Sequence, residues 1–117
     1  MQYLMLLISE EEGWGAMDAD EQENWLDRYR QFDADLRKAG ALVSANHLAR
    51  SADARTVRVR EKRKVVQDGP FAETKEQLLG YFIIDAGSMD EAIEWAARCP
   101  GAHHGAVEVR QIGTPPV

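Results

Sequence analysis

Tyr3 to Ile8 reads YLMLLI, and Leu78 to Ala86 reads LLGYFIIDA. Neither stretch alternates apolar with polar residues. Continuous apolar runs of this length belong to strands covered on both faces. Two helical patterns lie between and after them. Asp18 followed by Glu21 has capping-box spacing, with Asp in the Ser/Thr role, and opens a helix. Trp25, Tyr29, Phe32, Leu36 and Ala39 recur at three- and four-residue steps and make its apolar face. Asp33 and Arg37 form an i,i+4 pair on the outside, and Gly40 is the expected residue just past the end. The second helix opens with Ser88 and Glu91, buries Met89, Ala92, Ile93, Ala96 and Cys99, and stops at Pro100-Gly101.

The remaining pieces complete the order. Ser9 to Gly15 reads as a polar loop, Ala41 to Ala45 as a strand, and Asn46 to Ala54 as a connection. Arg55 to Val66 reads as two short strands turning at Glu61-Lys62, with Val57 and Val59 on one side and Thr56, Arg58 and Arg60 on the other. Asp68-Gly69-Pro70-Phe71 is a turn, because proline fixes its own φ and pushes Gly69 out of the helical region. Gly105 to Ile112 is the last strand, with Val107 and Val109 opposite Glu108 and Arg110. Thr114 to Val117 is a tail. The order β-α-β-hairpin-β-α-β predicts an α+β ferredoxin-like sandwich with an inserted hairpin. Two helices cover one sheet face, yet the two central runs are apolar on both. The other face needs a cover. The hairpin folding back is one candidate; a second copy, packed sheet to sheet about a two-fold axis, is the preferred one. A homodimer is therefore expected.

The 117 residues make one domain, spanning residues 1–117. A hydrophobic fraction of 44% and a charged fraction of 29% exclude wholesale disorder. One cysteine excludes an internal disulfide and multi-cysteine metal sites. Met1 to Ile8 is too short to span a bilayer and has no basic leader, so no membrane association is expected and the cytoplasm is the expected location. The net charge of −6 opposes phosphate backbones. Arg55, Arg58, Arg60, Lys62, Arg63 and Lys64 do cluster, but without stacking aromatics. A solvated hairpin is preferred there over a nucleic-acid surface.

Four constellations bear on chemistry. Asp68, Glu73 and Lys75 put two carboxylates and an ammonium within eight residues around a rigid turn. Such a loop can aim a general acid or base at a pocket; on chemistry alone a plain turn, with Asp68 bonded to local backbone and Glu73 and Lys75 solvated, is the preferred reading. His47, His103 and His104 lack metal-ligand spacing, and neighbouring histidines in extended chain point apart. No metal and no cofactor is expected. His104, bordering the last strand, is the better catalytic candidate of the three. Glu108 and Arg110 share a strand face, where Arg110 suits an anionic ligand, unless they are simply solvated edge charges. Cys99 sits at the electronegative end of its helix, which raises a thiol pKa and argues against a nucleophile.

The string Asp68-Gly69-Pro70-Phe71-Ala72-Glu73-Thr74-Lys75-Glu76 resembles the YCII-related family, in particular its DGPF-domain branch. Met1–Ile8, Thr56–Arg60, Asp90–Ala96 and Gly105–Arg110 resemble that family's opening strand, hairpin entry, closing helix and closing strand. The resemblance implies a dimeric ferredoxin-like fold, a dimeric α/β barrel. It also implies a bacterial regulatory context near extracytoplasmic-function sigma factors. In the wider family a histidine on the first helix and an aspartate after the second are thought to form an acid/base pair. Here those positions fall at Tyr29 and Cys99, so that pair is not carried over. The site expected from residues and resemblance together has Asp68, Glu73, Lys75 and His104 as catalytic groups and Tyr29, Phe71, Glu108 and Arg110 as ligand-binding groups. A small polar, anionic or aromatic molecule is the expected partner. A non-catalytic dimeric binding or regulatory module is the alternative.

Overall fold

The computed structural model describes residues 1–113; the tail Thr114 to Val117 lies outside them. Six strands form two sheets. Strands β1 (Gln2–Glu10), β2 (Leu42–His47), β5 (Glu76–Asp85) and β6 (Ala106–Gln111) make a four-stranded antiparallel sheet in the order β2-β5-β1-β6. Strands β3 (Arg55–Arg60) and β4 (Arg63–Asp68) pair only with each other. With that hairpin set aside, the main sheet runs fourth-first-third-second, the strand order of a ferredoxin-like α+β sandwich.

The helices follow their sequence signals. Helix α2 (Ala19–Lys38) starts where the Asp18 carboxylate accepts the Glu21 N–H at 2.8 Å. It ends in a Schellman motif: the Gly40 N–H donates to Arg37 O, the Ala41 N–H donates to Leu36 O, and Gly40 holds φ +67°. Helix α3 (Met89–Arg98) starts where Ser88 Oγ accepts the Glu91 N–H at 3.2 Å. Both lie on one face of the main sheet. Phe32 and Leu36 of α2 and Ala92 and Ala96 of α3 are buried against Tyr3, Met5, Phe82 and Ile84. Phe32 meets Phe82 edge-on at 5.2 Å, and an Arg98–Asp35 ion pair at 2.7 Å ties the helices together outside.

Some boundaries move. The segment read as a loop from Ser9 to Gly15 is divided: β1 continues to Glu10, because Ser9 and Glu10 pair with Gln77 and Glu76, and Glu12–Ala16 form a short helix α1. Strand β2 runs on to His47, in register with Gly80, so the connection begins later than expected and contains a helical turn at Ser51–Asp53. The hairpin turn falls at Glu61 and Lys62, both left-handed at φ 50° and 63°, the geometry a two-residue hairpin turn demands.

Period two then sorts the sheet faces. Tyr3, Met5, Leu7, Val107 and Val109 point to the helices. Leu4, Leu6, Ile8, Tyr81 and Ile83 are half-buried on the opposite face. That face is flanked by Ser44 and Asn46 on β2 and by Glu108 and Arg110 on β6.

Candidate functional site

One end of the main sheet gathers most of the polar candidates. There β1 leaves at Glu10, β5 enters at Glu76, and β6 begins after Gly105. The chain at Gly105 presses against β1: a Cβ on this glycine would stand 2.3 Å from the Ile8 carbonyl oxygen. This approach, open only to glycine, sets His104 beside Ser9, with Oγ and Nδ1 3.2 Å apart. Ser9 is buried, at 8% exposure. The Trp25 ring meets the imidazole edge-on, centroids 4.7 Å apart, and the Arg28 guanidinium lies over Trp25 at 4.8 Å. Burial, and then the neighbouring His103, lower the His104 pKa below its ordinary value. The imidazole is therefore neutral at pH 7 and able to take a proton. In one tautomer the Ser9 hydroxyl donates to Nδ1. In the other Nδ1–H donates to the hydroxyl, and Nε2 keeps its lone pair for a ligand.

One step deeper stand Tyr29 and Cys99. The Tyr29 hydroxyl lies against Gly101, where an added Cβ would be 2.9 Å from it. Burial raises its pKa, and the charge Cys99 would carry raises it further. Cys99 is fully buried, and burial pushes its thiol up to about 11. Both groups stay protonated at neutral pH. The thiol moves in the direction expected from the sequence, with burial as the leading cause.

The Asp68–Lys75 loop occupies the same end. Asp68 closes β4 with an exposed carboxylate, Oδ1 3.1 Å from Arg55 Nε. Gly69, at φ +100°, donates its N–H to the Ala54 carbonyl at 2.8 Å and accepts from Thr56 Oγ1 at 3.0 Å. The glycine and proline thus root the hairpin. Gln77 Nε2 donates to the carbonyls of Ala72 and Thr74 at 3.1 and 2.8 Å and holds the loop to β5. Between loop and connection lies an open depression of about 380 Å³, lined by Asp68, Gly69, Pro70, Glu73, Thr74 and Gln77 on one side and Ser51 and Ala52 on the other. The Glu11 carboxylate fixes the far wall, accepting the Ser51 N–H at 2.7 Å and the Ser51 hydroxyl. Those bonds hold the Glu11 pKa below the usual carboxylate range.

The expected residues are therefore brought together in part. Asp68 and Glu73 share the depression. Lys75 is nearby but pairs with Glu10 at 3.5 Å. His104 reaches the same sheet end through Ser9, whose ladder partner Gln77 lines the depression. Phe71 is 79% exposed, with the Arg58 guanidinium 5.5 Å from its ring centre. Glu108 and Arg110 lie apart on the face away from the helices and pair with each other at 2.7 Å. Ser9 and Glu11 were not singled out as site residues, and Trp25 was read as core. No spacing joins Ser9 to His104, and the one local signal was the glycine after the histidine. Among the described residues no three His, Cys, Asp or Glu side chains are grouped to hold a metal, and no helix is long and apolar enough to cross a membrane.

The model of the YCII-related domain matches residues 1–114. The chain belongs to the YCII-related family. It is also similar to a protein of Rhizobium meliloti (strain 1021) named "Uncharacterized protein R00369", 38% identical over 117 residues that cover 96% of this chain and 92% of that one. In this YCII-related chain, Tyr29 and Cys99 both remain neutral at pH 7.

Proposed function

We propose that this YCII-related protein, of the DGPF branch, is a cytoplasmic homodimer with an acid/base site at the β1–β5–β6 sheet end. His104 is the base, Ser9 orients it, and Asp68 and Glu73 supply carboxylates toward a small polar or aromatic ligand. The two apolar sheet faces pack against each other in the dimer and close an α/β barrel. The observation that carries the site is the Ser9–His104 contact, with an imidazole whose basicity is lowered beside a buried hydroxyl. The replaced Tyr29/Cys99 pair supports moving the proton chemistry outward to His104. Lys75 and Phe71 border the site; Arg110 and Glu108 belong to the sheet face and act through the dimer.

The test is an NMR titration of the full chain with salicylate and benzoate, which are both anionic and aromatic. Saturable shifts at Ser9, Gln77 and His104, lost in His104→Ala, are expected. Shifts that persist unchanged in His104→Ala, or none at all, overturn the reading. A second reading has its own observation. Asp68 is exposed and held by Arg55, as suits a non-catalytic dimeric module in sigma-factor-associated regulation. That version expects Asp68→Asn to leave ligand or partner binding nearly intact.

A further inference from the structure

The β3–β4 hairpin does not contribute to the core of its own chain. The radius of gyration is 16.3 Å, whereas a compact chain of this length has about 13 Å. Six-residue strands make an arm about 20 Å long, rooted by bonds among Ala54, Thr56 and Gly69, and none of its residues joins the core of the main sheet. Register puts Val57 opposite Val66 and Val59 opposite Lys64, so three valines share one face. They are 58%, 49% and 61% exposed in the order Val57, Val66, Val59. Few monomers leave so regular an apolar strip in water.

Charge points to the occupant. The hairpin, residues 55–68, holds six of the fourteen basic residues and two of the twenty acidic ones, giving the arm +4 and the rest of the chain −10. Among the described residues, the arm's one carboxylate ion pair is Arg55–Asp68; Arg58, Arg60, Lys62, Arg63 and Lys64 have none within 4.0 Å. A thin basic arm with a valine face fits an acidic body with apolar patches, and a second copy of this chain is such a body. Two-fold symmetry lets both arms be satisfied at once. A nucleic acid fits less well: the arm's strands carry no aromatic to stack on bases, and the −10 body repels phosphate.

We propose that the β3–β4 hairpin is an exchanged arm, its Val57/Val59/Val66 face laid on the acidic body of the partner protomer. This rests on the homodimer reading above and adds to it a second, charge-steered contact. Sedimentation velocity and equilibrium on the full chain at low and high salt test it. The variants are Val57→Ser/Val66→Ser, Lys64→Glu beside Val59 on the valine face and, on the sheet face, Leu6→Glu. The valine pair should weaken the dimer about a hundredfold, since four valines per dimer lose their cover. Charge reversal should weaken it at low salt and reduce its salt dependence. Neither should change the urea midpoint of the monomeric body. Slower amide exchange at Val57 and Val66 as protein concentration rises reports the docked arm without any mutation. A wild-type dimer indifferent to both arm variants, with no such slowing, overturns the arm and leaves the sheet-face dimer, which Leu6→Glu alone should then break. A monomeric wild type at high micromolar concentration overturns both. A complex that forms only with added duplex DNA, and is lost steeply with salt, overturns the arm in favour of nucleic acid.

Discussion

Ile84 on β5 and Val66 on β4 are both β-branched residues on antiparallel strands, yet Ile84 is fully buried and Val66 is 49% exposed. Strand pairing does not favour Ile84: both ladders of β5 contain a bulge, whereas the β3–β4 ladder is unbroken. The difference is the layer behind the strand. Helices α2 and α3 bring Phe32, Leu36, Ala92 and Ala96 onto Ile84's face, whereas among the described residues Val66 joins no such cluster. Pairing satisfies backbone groups; burial needs a second layer. The main sheet is a folded body, and the hairpin is an arm whose valines stay half-exposed.

Truncation separates the two regions most sharply. Ile84→Ala removes packed methyl groups from a site with no exposure and should cost about 3 kcal/mol by urea unfolding. Val66→Ala in the monomer should cost less than about 0.5 kcal/mol. Equal losses would show that the arm is packed in the monomer, and the contrast between body and arm would fail.

The next effect probes how tightly the body is built around the site. Gly105→Ala drives a methyl group to within 2.3 Å of the Ile8 carbonyl oxygen and 2.8 Å of Ser9 Cβ. Overpacking of this kind costs about 2 kcal/mol, and relief requires the chain to lift from β1. His104 should then lose Ser9 and Trp25, seen as a changed ring shift and a pKa returned toward its ordinary value. A stable variant with an unmoved His104 would mean that the close approach does not hold the histidine.

Most of the body was legible because its signals are local. The Asp18 and Ser88 caps, the 3.6-residue stripe from Trp25 to Leu36 and the left-handed Gly40 each depend on residues within one or two turns. The alternation Val107–Arg110 set its valines and its charges on opposite faces for the same reason. The site was legible only in part, because its central contact joins residues 95 positions apart. Ser9 carried no signal, since serine after an apolar run reads as the start of a loop. That reading also hid the continuation of β1 to Glu10, which is set by ladder partners on β5. Asp68 and Glu73 were visible as a cluster. That the Asp68 carboxylate would pair with Arg55 depends on the hairpin register, which no single residue announces.

Helix caps give a smaller effect confined to the body. Asp18→Ala and Ser88→Ala should each cost about 1 kcal/mol, because each leaves a first-turn N–H unpaired. The arm has no such device. Its turn instead holds Glu61 and Lys62 in the left-handed region, so Lys62→Gly should firm the hairpin while leaving body stability unchanged. Amide exchange within the arm, compared with the urea midpoint, separates these outcomes.

The smallest expected effects are electrostatic, and they divide the body's own end by pH. His104 has a folded pKa below its ordinary 6.5. The unfolded chain therefore binds its proton first as pH falls, and stability drops from about pH 6.5 down through the folded value. Trp25→Ala exposes the ring, raises that folded value and shrinks the drop. Glu11 obeys the same sign in a more acidic window. Its folded pKa lies below the ordinary 4.5 because of the Ser51 hydroxyl and N–H, so its contribution is complete above that range and is lost as pH falls through the folded value. Ser51→Ala removes the hydroxyl bond and keeps the N–H. Near a solvent-accessible carboxylate this should cost less than about 1 kcal/mol at pH 7. Because the stabilisation lost is already absent once Glu11 is protonated, the variant and the wild type should converge in strong acid. Urea midpoints measured from pH 7 to pH 3 decide it. A gap that stays constant across that range would assign Ser51 a packing role independent of the Glu11 charge, and the far wall of the depression would then not be held by that carboxylate.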